Sequence, residues 1–277
     1  MPRTTETIIT ERHFDSATGK MLIKETKEVN VLKKVPNKVE TKVRKPFQVL
    51  FLIDVSGSMQ QDTRFREAIA GVRAVLNEMN VEEDWVGIAT FSSRTASTAF
   101  MEFMDFKPLK SKKSEVEKFI TQLETKAKFG SATALYDAML ECTDKFKTYD
   151  SLPDLQHLLI VATDGADNDS LNKDTTSINA LLHGKQYEKK LNLHVTVLPI
   201  EVDESNIKDL ETVLKGQVSL PGGIQRRKLG EIHHCTSTAV IRDTFTTAAR
   251  TVFSTVMVSR TEERTTSVSV DKKKKGN

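Results

Sequence analysis

Phe51-Leu52-Ile53-Asp54-Val55-Ser56-Gly57-Ser58-Met59 is the stretch that decides the fold of this chain. The run from Val49 to Ile53 is apolar throughout, the pattern of a strand buried on both faces of a parallel sheet. Asp54 closes the run, so its carboxylate falls at the strand's carboxyl end, where open α/β sheets place their ligand sites. Ser56 and Ser58 follow at alternate positions around Gly57, which permits a tight turn. Asp54, Ser56 and Ser58 offer only oxygen, a donor set suited to a hard cation such as Mg²⁺, Mn²⁺ or Ca²⁺. Taken alone, the stretch reads equally well as a serine-rich turn capping the next helix.

Outward from this strand (Phe47 to Val55), apolar spacing predicts a first helix over 62–80, with Phe65, Ile69, Val72, Val75, Leu76 and Met79 on one face. Trp85 to Ser92 and Ala96 to Phe103 read as strands joined as a hairpin. Lys112 to Lys126 is an amphipathic helix, and Ala134 to Phe146 a further one. His157 to Thr163 and Leu193 to Ile200 are strands, with a helix over 177–190 between them. Ser205 to Leu214 is a short helix, Glu231 to Cys235 a short last strand, and Ile241 to Val258 a closing helix. This alternation implies an α/β fold: a doubly wound, mainly parallel sheet with helices on both faces and one antiparallel strand. Gly216 to Gly230, with Pro221-Gly222-Gly223 and Arg226-Arg227-Lys228, reads as a loop insertion, more a solvated connection than a specificity loop.

Two more stretches bear on the first. Gly130-Ser131-Ala132-Thr133-Ala134 places a hydroxyl at Thr133 just before a helix, and Leu159-Ile160-Val161-Ala162-Thr163-Asp164-Gly165 is a second apolar strand ending in an aspartate. With these in order, the sequence resembles the von Willebrand factor A (VWA) domain family over roughly residues 46 to 259, and its metal-ion-dependent adhesion site in particular. That site combines Asp-x-Ser-x-Ser, a threonine from a second loop and Thr-Asp-Gly. The resemblance implies a Rossmann-like fold and a metal site at Asp54, Ser56, Ser58, Thr133 and Asp164. It also implies recognition of an aspartate or glutamate on a protein partner. Two carboxylates against three neutral hydroxyls would leave a divalent cation electrophilic, with a coordination position for that acidic group.

Other residues weigh less. Asp167 and Asp169 are expected to be solvated and to form Asx turns, although tuning of the site or a second cation is the sharper alternative. His233 and His234 are neighbours on a strand, point to opposite faces and cannot chelate one ion together. Ser56 and Ser58 as hydrolytic nucleophiles lack a histidine placed near them by sequence. Three functions therefore stand side by side: a cation-dependent interaction module, a metal-dependent hydrolase using the same oxygens, and a metal-independent scaffold. The first leads, so no enzyme activity is expected.

Residues 1–45 read as a β-hairpin (Thr5 to Arg12 with Lys20 to Glu28) and a basic arm, either extended or a flexible linker. Residues 46–260 form the main domain, and 261–277 a basic tail without structure, ending in Lys272 to Lys275. The net charge of +3 is too small to demand nucleic acid as a partner. No apolar segment approaches the roughly 18 residues that span a bilayer, and Met1 to Glu6 lacks the apolar core of a signal peptide. A cytoplasmic location is the expectation, with Cys142 and Cys235 as free thiols rather than a disulfide. Oligomeric state is not legible.

Overall fold

A computed structural model describes the backbone of residues 3–15, 20–94, 100–150, 152, 154–216, 218–220, 224–226 and 228–268. It describes side chains over 44–94, 100–150, 152, 154–216 and 228–256. The chain divides into two compact units, one of residues 1–43 with 258–277 and one of 44–257.

In the first unit, β1 (Arg3–Asp15) pairs antiparallel with β2 (Lys20–Arg44), in register from Arg3 opposite Leu32 to Asp15 opposite Lys20. The expected hairpin is present and longer than its β-prone segments suggested. The arm after Glu28 is extended, as one of its two readings had it, because β2 runs through it. The last strand of the chain, β11 (Met257–Val268), completes a sheet of order β1-β2-β11. This corrects the expectation of a structureless tail from Thr261. Thr261, Thr265, Thr266 and Val268 are β-branched, and such residues take up strand geometry when a partner strand is available. Lys272 to Lys275 lie outside the described residues.

The second unit is a six-stranded sheet of order β10-β7-β6-β3-β4-β5. Its strands are β3 (Phe47–Asp54), β4 (Trp85–Phe91), β5 (Met101–Pro108), β6 (Gln156–Thr163), β7 (Leu193–Pro199) and β10 (Gly230–Ile232). β5 alone runs antiparallel, against β4. The fold is the expected mainly parallel α/β sheet. β3 is central and buried at every residue, and its alternate side chains feed two cores. Phe47, Val49, Phe51 and Ile53 face α1 (Arg64–Glu78), α2 (Leu109–Lys126) and α6 (Ile241–Thr255). Leu50 and Leu52 face α3 (Leu135–Lys145), α4 (Thr175–Glu188) and α5 (Glu204–Lys215). Cys142 and Cys235 are buried free thiols, one in each core, so the sheet separates them.

Two assignments shift. The strand expected at Ala96 to Phe103 lies at Met101–Pro108, and residues 95–99 fall outside the described part. As an edge strand it exposes Glu102 and Asp105 while burying Met104 and Phe106, so charges interrupt its apolar signal. The insertion expected as loop contains a two-stranded sheet, β8 (Val218–Leu220) with β9 (Ile224–Arg226).

The short β10 depends on a glycine. Gly230 lies opposite Val195, and a Cβ placed on it would stand 1.6 Å from the Val195 carbonyl oxygen. The obstacle is backbone and cannot rotate away. Gly230→Ala is therefore expected to cost about 2 kcal/mol, the edge strand peeling off before the core gives way. Urea denaturation reads this directly, and an unchanged midpoint would mean that β10 contributes nothing to stability.

Candidate functional site

Three loops meet at the carboxyl end of β3: those after β3 (residues 55–63), before α3 (127–134) and after β6 (164–174). Ser56 and Gly130 form a parallel bridge, and the Gly130 N–H donates to the Val55 carbonyl at 2.8 Å. A Cβ on Gly130 would stand 2.6 Å from the Ser92 hydroxyl, so this approach needs a glycine.

Asp54 is wholly buried. One oxygen, Oδ1, accepts from the Ser56 backbone N–H at 2.7 Å, and Oδ2 accepts from the Thr163 hydroxyl at 2.6 Å. Burial raises its pKa from 3.8 to about 6. The hydrogen bonds from Thr163 and Ser56 pull the other way, and repulsion from Asp164 adds a smaller upward push. The Ser56 hydroxyl lies 3.1 Å from that of Ser58, which donates to Asp164 Oδ1 at 2.7 Å. Asp164 Oδ2 accepts from Arg64 Nη1 at 2.8 Å, and Arg64 also donates to Glu201.

Thr133 enters from the second loop, buried and fixed through its backbone. Its N–H donates to Asn168 Oδ1 at 2.8 Å, and its carbonyl accepts from the N–H groups of Asn168 and Asp169. Its hydroxyl lies over Gly165, where an added Cβ would be only 3.1 Å away. The fold thus gathers Asp54, Ser56, Ser58, Thr133 and Asp164 in one place from three separate segments. Every side-chain donor atom among them is oxygen.

Asp167 and Asp169 correct a second expectation. They are half-buried rather than fully solvated, and they brace the loops. Asp167 Oδ1 accepts from the Tyr136 N–H at the start of α3 and from the Ser170 hydroxyl. Asp169 Oδ2 accepts from the Ser93 hydroxyl at 2.8 Å and from the Arg94 N–H. Asp137, not anticipated at all, accepts from the Leu171 N–H at 2.9 Å and from the Arg94 guanidinium. His233 extends the β10–β7 pairing through its N–H to the Val197 carbonyl at 2.9 Å. Among the described residues no three His, Cys, Asp or Glu side chains are grouped to hold a metal ion. A site of two carboxylates and three hydroxyls falls outside that description.

Sequence reasoning missed Thr163, Arg64 and Glu201. Thr163 stood in the open, immediately before Asp164. The other two carried no local signal.

Residues 49–166 match the family model of the von Willebrand factor type A domain. The match supports a VWA domain in this chain. Asp54, Ser56, Ser58, Thr133 and Asp164 all lie within the matched span.

The pilus adhesin SpaC from Lactobacillus rhamnosus GG is similar in fold in two crystal structures, one of them an open conformation. The TM-scores are 0.54 and 0.56, at 13% and 12% sequence identity. Each alignment covers 91% of this chain but only 35% and 34% of the adhesin, so the chain spans about a third of that protein's length. At this identity the likeness is one of fold. Comparison with curated proteins finds no match. Among the described residues, no helix is long and apolar enough to cross a membrane.

Proposed function

We propose that this VWA domain is a protein-interaction module whose binding depends on a divalent cation held by Asp54, Ser56, Ser58, Thr133 and Asp164. The observation that carries this reading is the convergence of five oxygen-bearing side chains at the carboxyl end of β3. Four of them are linked in order: Asp54 to the Ser56 N–H, Ser56 to Ser58, and Ser58 to Asp164. An all-oxygen set with two carboxylates suits Mg²⁺, Mn²⁺ or Ca²⁺ and disfavours softer metals. A bound cation supplies an electrophilic centre for the carboxylate of an aspartate or glutamate on the partner. The protein's own contribution is to hold the hydroxyls close and keep the two acids apart from bulk water.

Binding fits the residues better than hydrolysis does. The hydrogen bonds described for the Ser56 and Ser58 hydroxyls join them to each other and to Asp164, not to a histidine that could act as a base. The metal-independent scaffold is the reading that remains if the cation fails.

The test is a calorimetric titration of Mg²⁺ and Mn²⁺ into metal-stripped protein, beside Asp54→Ala. Saturable one-site binding is expected in the parent and none in the variant, both shown to be folded by circular dichroism. Equal binding by the two proteins would place the cation elsewhere. No binding by the folded parent or by variants at the site would leave the scaffold reading in its place.

A further inference from the structure

We propose that Arg64 lowers the cation affinity of this site: its guanidinium is ion-paired with Asp164 and competes with a divalent cation for that carboxylate. The inference rests on the cation reading above and names the residue that competes with the metal.

Both oxygens of Asp164 accept a hydrogen bond. Oδ1 accepts from Ser58, and Oδ2 accepts from Arg64 Nη1 at 2.8 Å. The Asp164 side chain is fully buried and that of Arg64 only 16% exposed, so water screens this pair weakly. Arg64 Nη2 reaches the Glu201 carboxylate, so one fork ties the third loop to the segment after β7. The remaining donor, Nε, is buried with no acceptor among the described residues. The guanidinium is therefore held in place at the expense of one of its own hydrogen bonds.

The backbone around the clamp is strained in the same place. Among the described residues, four non-glycine residues have positive φ: Asp62 at 48°, Thr63 at 64°, Lys190 at 54° and Glu201 at 53°. Three of the four belong to this clamp, two immediately before Arg64 and one its partner. Thr63 is β-branched, for which the left-handed region is especially unfavourable. It is also the N-cap of α1, and makes no side-chain capping hydrogen bond. α4 and α5 start differently, with Asp174 and Asp203 each accepting from a backbone N–H three residues on. Strain of this kind persists where surrounding contacts impose it, and it gathers at switch positions. Here it lies directly before Arg64 and at its partner Glu201.

A guanidinium draws on the negative charge of the carboxylate oxygen it pairs with, and its own positive charge repels a divalent cation brought to the same carboxylate. Removing Arg64's charge should free Asp164 without touching any proposed ligand. Mg²⁺ is titrated calorimetrically into metal-stripped wild type, Arg64→Gln and Arg64→Met, the last keeping the alkyl stem. The variants are expected to bind about tenfold more tightly, the scale of losing one charge-assisted hydrogen bond from the competing side. Thermal melts supply a second readout. Without metal the variants should melt below wild type, and saturating Mg²⁺ should narrow the gap, because ligand linkage now favours them. A merely structural arginine would lower the melting point equally with and without metal. Either folded variant decides the matter. Unchanged or weaker Mg²⁺ binding than wild type overturns the role of Arg64 and leaves the cation reading standing. If wild type and both folded variants all fail to bind, the cation reading falls and takes this inference with it. Binding by the variants alone would show Arg64 as a complete block.

Discussion

Asp54→Asn is expected to make the metal-stripped chain more stable at pH 7, by on the order of 2 to 3 kcal/mol, while abolishing cation binding. Asp54 is wholly buried, and desolvation lifts its pKa to about 6 from an ordinary 3.8. The sign follows from comparing the two states. Below the ordinary value the acid is protonated whether the chain is folded or not. Between the two values the folded chain keeps a proton that the unfolded chain has released, so stability falls as the pH rises through this window. Above about pH 6 the full cost of a buried carboxylate is present. Asparagine carries no charge and escapes that cost. It can also keep the local hydrogen bonds. Its oxygen can accept from the Ser56 N–H, and its amide can donate to the Thr163 hydroxyl. That hydroxyl is already within 3.3 Å of the Gly165 carbonyl as an alternative acceptor. The measurement is urea denaturation of both metal-free proteins from pH 4 to pH 8. The advantage of the variant should be small at pH 4, grow through pH 6 and then level off. A wild type with flat stability over that range, or a less stable variant, would remove the buried-charge account.

Holding Asp54 and Asp164 close together costs stability, and on the proposed reading a divalent cation would relieve both acids at once. Cation affinity should accordingly weaken below about pH 6, where the metal must displace a proton from Asp54.

What was legible in the sequence was local. An apolar run ending in an aspartate marks a buried parallel strand and its carboxyl end, and β3 and β6 lie where those runs lie. The same logic failed at β5, because an edge strand half open to solvent carries Glu102 and Asp105 among its apolar residues. It failed again at the tail, where the strand β11 has no apolar run to announce it. In the site, the five oxygen-bearing residues were visible because each follows a strand or precedes a helix in a short pattern. Arg64 was not, since its partners Asp164 and Glu201 lie 100 and 137 residues away and only the order of the sheet brings them near. Asp167 and Asp169 misled for a related reason. Acidic loop residues look solvated in sequence, and only the folded loops supply the N–H groups that they accept from.

Asp84 was hidden in the same way, within Glu82-Glu83-Asp84, and its loss should lower stability more than Gly230→Ala does. Asp84→Ala is expected to destabilise the chain by about 3 to 5 kcal/mol, the range for removing one partner of a buried ion pair. The Asp84 side chain is fully buried. Oδ1 accepts from the Phe47 N–H at 2.9 Å, at the first residue of β3. Oδ2 accepts from the Asn80 N–H at 2.8 Å, just beyond α1, and from the Arg44 guanidinium. That guanidinium also lies over the rings of Phe47 and Phe253, 5.1 and 4.6 Å from their centroids, and so leads on to α6. One carboxylate thus joins the start of the central strand to the end of α1 and, through Arg44, to α6. Burial alone would push its pKa up, and the net shift is upward even with Arg44 beside it. Alanine would leave two backbone N–H groups and a mostly buried guanidinium without their acceptor. Asp84→Asn separates the two contributions, because its single oxygen can still serve one donor while its amide group faces the others. It should therefore lose less than alanine but more than about 1 kcal/mol, the scale of one ordinary hydrogen bond. Urea denaturation at pH 7 compares the three proteins. A cost of under about 1 kcal/mol for alanine would mean that water replaces the carboxylate at this junction, and that β3 is anchored by its apolar side chains alone.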